Sequence, residues 1–416
     1  MDSQGSRDRD GFIPMRTAEL SAAIAADGGD ARLSDVARLL GALLHHEAYE
    51  HLETLKALYD PLDPDAPHAR RNVSAAAFEA FETALTEALE RANFTEIDHD
   101  TVQTRDTTKL LTGLAIKPSV AGIRRIRYFA RGAKPDTVAL KSWFGLRTRQ
   151  IPVQTMSDVI VLVGFKAEDE IGREDKAAFA QMRRGVRPGA ALVKHFRNVA
   201  TAELVTLHPG AKPSMLGRDR VILAAPAVAT GVPVLLNIWP ALTVLFAVVA
   251  AYFGAQGVIE ENELKRAVAA LSGLVAVIAF IMRQRLKYEA QGLRYQKRLA
   301  DTVYFRNLAN NAGVIDLLVG AGEAQDAKEA LLAYAALARH GAPMARGELD
   351  LACEAFLRDK LGADVNFEIG DALSKLERLG LVSATGGETY AAASPPEALA
   401  KLDAAWDGLF NFSARR

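Results

Sequence analysis

From Val221 to Ile259 the chain carries no acidic or basic side chain, and few folded environments accept so long an uncharged tract. Within it, Val234–Phe253 alone supplies the ~20 apolar residues that a helix needs to cross the hydrocarbon layer of a membrane. Asn237 and Pro240 mark its start, since proline lacks an amide proton and suits a first helical turn. Trp239 and Tyr252 lie near the two ends, where amphipathic rings prefer the headgroup level. A second uncharged run, Ala267–Met282, is shorter, but Lys265, Arg266, Arg283 and Arg285 flank it and can reach the interfaces. Its small residues, among them Ala269, Ala270, Gly273 and Ala276, let a neighbouring helix approach closely. The two runs predict a transmembrane helical hairpin over 232–283, with helices at about 234–255 and 266–283. Glu260, Glu261 and Glu263 fall in the connector and cations on the outer flanks, which puts both termini on the cytoplasmic side.

The rest of the chain is unlike a multi-pass transporter. Of 416 residues, 24% are charged, with 50 Lys and Arg against 51 Asp and Glu. Balance of that kind gives no global field toward nucleic acid or an acidic surface, so any such binding must come from local patches. The single cysteine, Cys353, rules out an intramolecular disulfide and any multi-cysteine metal centre. The first ten residues carry charges of both signs and no apolar run, which is not the pattern of a secretory signal.

Helical spacing of apolar residues, as in Val36, Leu39, Leu40, Leu43 and Leu44, predicts helices over 16–26, 33–58 and 73–92. These make a helical N-terminal region, 1–92. The prolines and aspartates of Tyr59–Asp65 interrupt it with a turn. Over 93–225 the pattern changes to short β-branched and aromatic runs, at 113–116, 123–130, 150–153, 159–165, 191–196 and 220–224, which predict a small α+β domain. There Arg125, Arg127 and Arg131 alternate with Ile126, Tyr128 and Ala130, as in a strand with one solvated face. With Arg124, and with Arg283 and Arg285 beyond the hairpin, they are candidates for contact with anionic lipid headgroups or an interface. A basic helical stalk is expected over 284–320. Then come helices at 324–338, 347–361 and 370–379 and two short strands around Gly386-Gly387, the order of a winged helix, over 324–393. A C-terminal helix follows over 394–412. The fold class expected is thus an α+β membrane protein: helical N-terminal region, small α+β domain, two-helix transmembrane hairpin and C-terminal winged-helix-like domain.

Several stretches, in order, carry a resemblance: Phe12-Ile13-Pro14-Met15-Arg16, Tyr59–Asp65, Tyr128-Phe129-Ala130-Arg131-Gly132, Lys194-His195-Phe196-Arg197, Asp219–Pro226, Tyr304–Asn311, Glu323–Tyr334, Leu379-Gly380-Leu381-Val382 and Leu402–Asp407. Over nearly its whole length the chain resembles the transmembrane-protein-143-like family, a conserved domain of unknown function in bacteria and in organelle proteins of animals and plants. The resemblance implies a membrane protein with paired helices and brings no activity, cofactor or site. The family's Tyr-Arg-Gly piece stands here as Phe-Ala-Arg-Gly, a departure at the tyrosine.

Chemistry is sparse. No phosphate-binding loop, nucleophile elbow or dinucleotide fingerprint is present. In His45–His51, the residues His46, Glu47, Glu50 and His51 are the metal candidates, but a zinc-protease helix needs its second histidine four residues after the first, where Glu50 stands, and such residues more often form i,i+4 surface pairs. No cofactor, metal or catalytic residue is therefore assigned. The polar segment with Tyr304, Arg306, Asn307, Asn310 and Asn311 is a candidate partner or ligand contact. The expected recognition helix of the winged segment carries Asp371, Lys375, Glu377 and Arg378, a poor charge for phosphates, so nucleic acid is disfavoured. The expectation is a membrane-anchored, cytosol-facing adaptor in the bacterial inner membrane, binding lipid and an unidentified protein partner, with self-association open to it. The alternatives are a membrane-tethered DNA-binding regulator and a hydrolase built on the His45–His51 cluster.

Overall fold

A computed structural model describes residues 11–27, 30–66, 73–98, 115–142, 147–173, 175–183, 186–214 and 261–410, with single positions between 243 and 254. The chain divides into two compact units, one of Met1–Val102, Val120–Leu204 and Arg306–Arg416, the other of Gln103–Ser119 and Val205–Phe305.

In the first unit, three helices open the chain: α1 (Thr17–Ala26), α2 (Leu33–Tyr59) and α3 (Ala75–Arg91). The buried side chains of α2 fall at helical spacing, Val36, Leu40, Leu43, Leu44, Leu55 and Tyr59, so one stripe runs the length of a 27-residue helix. Ser74 caps α3, its Oγ accepting from the Ala77 amide at 3.3 Å. A five-stranded antiparallel sheet follows, in the order β1-β3-β4-β5-β7. Its strands are β1 (Thr95–Ile97), β3 (Ile123–Ser142), β4 (Arg147–Phe165), β5 (Ala191–Ala200) and β7 (Asn307–Asn310), with helix α4 (Asp175–Arg183) between β4 and β5. The runs expected separately at 123–130, 150–153 and 159–165 are two arms of one long hairpin, with Ile126 opposite Val163 and Ala130 opposite Val159.

Helix α6 (Ala312–His340) is the spine of this unit. Its first turns, with Val314, Ile315 and Leu318, join the core that α3 makes with Phe129, Ile160 and Val193 of the sheet. Its later turns, with Leu331, Tyr334 and Leu337, join a second core containing α1, the start of α2 and the C-terminal elements. These are α7 (Arg346–Leu361), α8 (Ile369–Arg378), a three-stranded sheet in the order β8-β10-β9 (Met344–Ala345, Thr389–Ala392, Val382–Gly386), and α9 (Pro395–Gly408). Gly386 and Gly387 both take positive φ, which is what closes the β9–β10 turn so tightly.

The second unit holds the ribbon of β2 (Ala115–Pro118) with β6 (Ala211–Ser214) and most of α5 (Glu261–Arg306). Here the membrane reading is corrected. Among the described residues no helix is long and apolar enough to cross a membrane. The first run of the expected hairpin, 234–255, lies largely outside the described residues. The second, 266–283, is not a separate span but part of α5, a single 46-residue helix that runs on to Arg306. Its uncharged stretch of sixteen residues covers about 24 Å at 1.5 Å per residue, against a hydrocarbon layer of ~30 Å. The α+β membrane fold class, the transmembrane hairpin at 232–283 and the inner-membrane placement that rested on it are set aside; the described chain is a mixed helix-and-sheet protein. The run at 220–224 also lies outside the described residues.

Candidate functional site

A cleft of about 590 Å³ opens in the first unit between α2 and α3. Each wall is one helix face read at i, i+3, i+4 and i+7: Glu47, Glu50, His51 and Thr54 from α2, and Ala84, Glu87, Ala88 and Arg91 from α3. Helix α6 forms the floor with Leu318, Val319 and Gly322, joined by Leu44 and Leu55 of α2. Asp371, Lys375 and Arg378 of α8 close one end. The floor is thus apolar and the rim charged.

Ion pairs fix the closed end. Arg378 grips Glu47 through two parallel contacts, 2.5 and 2.8 Å, and Glu47 holds its guanidinium above the ordinary arginine range. Lys375 donates to Asp326 at 2.7 Å and to Asp371 at 2.5 Å. Burial pulls its ammonium down, but the two carboxylates outweigh that and hold it above the usual lysine value. Across the rim His45 Nδ1 lies 2.9 Å from Glu323. Among the described residues, Glu50 and Glu87 make no ion pair.

Beneath the rim, α6 carries a second polar set. Among the described residues Asp326, Glu329 and Asp371 form the one group of three carboxylates close enough to share a cation, and the Lys375 ammonium already bonds two of them. Burial raises Glu329 to about 7, although the Gln325 amide opposes the shift by donating to it at 2.7 Å. The same Gln325 accepts from the Ile13 amide at 3.3 Å and donates to the Gly11 carbonyl at 3.1 Å. Lys328 donates to the Ile13 carbonyl at 2.6 Å, and burial, with Arg131 nearby, lowers it to about 8. The Phe12 ring lies under both cations, 4.2 Å from the Arg131 guanidinium and 5.1 Å from the Lys328 ammonium. Residues Gly11–Ile13 are thus strapped across α6 by groups one turn from the cleft.

Each residue singled out by sequence now has a place. His46 packs edge-on against the Phe410 ring at 5.2 Å, Glu47 pairs with Arg378, and only Glu47, Glu50 and His51 of the four face the cleft. Those four do not form a metal-capable group. The arginines meet carboxylates: Arg124 with Glu170, Arg125 with Glu82 at 2.8 Å, and Arg127 with Glu82 at 3.4 Å and Glu96 at 2.7 Å. Arg131 is buried on Asp158 at 3.1 Å, which also meets His195 at 2.9 Å. Burial works to raise Asp158, but His195 and Arg131 outweigh it and hold the carboxyl low. Arg285 pairs with Glu289 at 3.1 Å, and Arg283 is exposed. Of the polar segment, Tyr304 and Asn310 are exposed, while Arg306 is bound to Glu203. Asn307 is half-buried. Asn311 is buried and sits at φ 52°, ψ −128°. Its side chain donates to Asp65 at 2.5 Å, and its own amide donates to the Val193 carbonyl at 2.7 Å, so it is a joint between β5, the Tyr59–Asp65 turn and α6. Sequence reasoning missed Glu87, Arg91, Asp326 and Gly322 of the cleft. The signal that could have found them is the charged or small residue at each i, i+3 and i+4 position facing an apolar stripe.

Residues 156–313 match a family described as a protein of unknown function (DUF3754). The match spans β5, α5, β7 and the joint at Asn311, and leaves the cleft outside it. No solved structure matches the chain.

Proposed function

We propose that the chain is an adaptor that recognises a protein partner in the cleft between α2 and α3 and performs no chemistry on it. The observation that carries this reading is the lining: an apolar floor ringed by charged side chains, which is how protein interfaces are built. Its volume, about 590 Å³, suits a few side chains of a docked segment. Contact with protein is favoured over contact with DNA because the cations of α8 are already engaged, Lys375 with Asp326 and Asp371 and Arg378 with Glu47. They are not free to meet phosphates. The finer likeness to the transmembrane-protein-143-like proteins belongs to this proposal and adds no activity to it.

Placing a photo-crosslinking amino acid at Thr54, on the cleft rim, and separately at the exposed Val120 tests the reading in the native host. A discrete polypeptide adduct is expected from position 54 and not from position 120. Equal labelling from both, or none from 54, would contradict it.

A further inference from the structure

We infer that the segment accepted by the cleft is basic and amphipathic: lysine or arginine side chains set around an apolar anchor. This rests on the adaptor reading and names the partner's chemistry.

Charge complementarity around a fixed floor sets the requirement. The cleft presents six carboxylates, Glu47, Glu50, Glu87, Glu323, Asp326 and Asp371, against three cations, Arg91, Lys375 and Arg378. Two of those cations are consumed, since Arg378 is held bidentately by Glu47 and Lys375 by Asp326 and Asp371. With Glu323 bonded to His45, that leaves Glu50 on one wall and Glu87 on the other, both exposed and, among the described residues, without an ion pair, with Arg91 alone opposing them. An acidic partner would set its carboxylates against both walls, a like-charge juxtaposition that costs affinity. A basic one finds an unpaired carboxylate on each side of the groove and, between them, the half-buried apolar side chains of Val319, Ala84 and Ala88. Lysine and arginine suit this in a second way, because their methylene stems lie along apolar surface while the charged head stays at the rim.

The test uses the full chain and a fluorescent 14-residue peptide made of two Lys-Leu-Ala-Lys-Leu-Ala-Lys repeats. Two control peptides have either every lysine replaced by glutamate or every leucine by serine. Anisotropy is expected to show saturable binding of the first peptide alone, weakened by salt. Affinity should fall about tenfold in the double variant Glu50→Lys/Glu87→Lys, the order expected when two attractive charges become repulsive ones. The neutral pair Glu50→Gln/Glu87→Gln should fall in between, and the remote Glu397→Lys should match the parent chain. Equal or tighter binding of the glutamate peptide, no binding of any peptide, or indifference of the lysine peptide to both double variants would overturn the inference. If any of these occurs while the Thr54 adduct still forms, the partner's chemistry is wrong and the adaptor reading stands; if the adduct is also missing, both fall.

Discussion

Glu329 and Lys328 stand next to each other on α6, both buried, and both displaced toward neutrality by that burial. An acid whose folded pKa is raised binds its proton more tightly in the folded chain than in the unfolded one. Folding is therefore favoured at low pH, and stability is lost as pH rises from the ordinary glutamate value, 4.5, to about 7. Lys328 has the matching consequence on the other side: stability recovers as pH rises from about 8 toward 10.5. Replacing Glu329→Gln keeps an acceptor for the Gln325 amide and removes the ionisation. Urea denaturation should find the variant more stable than the parent at pH 7.5 by about 1–3 kcal/mol, with little difference at pH 4.5. A parent stability flat between those values would show that Glu329 is not held this way. Arg131 marks a limit of what alternation reports. Its spacing with Tyr128 and Ala130 suggests a solvated face, yet that face also carries Phe129, which packs in the core beneath α3. The arginines survive there because Glu82, Glu96 and Asp158 meet them; alternation alone cannot separate a wet face from a covered face with paired charges.

At the scale of elements, α3 packs closely on the sheet where Phe78 crosses β4 at Gly164. A Cβ built on Gly164 would lie 2.5 Å from that ring, nearer than any side chain tolerates. Gly164→Val should destabilise the chain by about 1–3 kcal/mol through overpacking, read as a lower urea midpoint with unchanged slope. An unchanged midpoint would mean that α3 does not seat on the sheet in this way. Much at this scale is legible in the sequence. Helices α1, α2 and α3 lie within two residues of the spans that apolar spacing suggests, because each has one stripe to bury. The glycine pair at 386–387 marks its turn for a backbone reason that no packing can override. The long β3–β4 hairpin is not legible as one unit, since its polar middle breaks the alternation that makes a strand visible. The membrane hairpin follows from hydropathy alone, whereas the sixteen-residue uncharged run of α5 is limited by length.

The molecule as a whole brings together side chains that the sequence keeps far apart. Glu50 and His51 stand out in the sequence because they are adjacent to other histidines; in the fold they line one cleft with Glu87, Gly322 and Asp371 of three other helices. No local pattern reports such an encounter, because it depends on α2 and α6 each spanning two cores. The Gly11–Ile13 strap, held by Gln325 and Lys328, shares α6 with the cleft floor and ties the start of the described chain to it.

A partner seated in this cleft would shield the backbone of the three helices that line it. Hydrogen exchange of the full-length chain, measured alone and with the polypeptide recovered in the Thr54 adduct, reads that shielding most directly. Slowed exchange is expected in the facing segments Glu47–Leu55 of α2 and Ala84–Arg91 of α3, and in Leu318–Asp326 of α6, with the β3–β4 hairpin unchanged. Protection confined to the sheet or to α9, or no protection at all, would contradict the account.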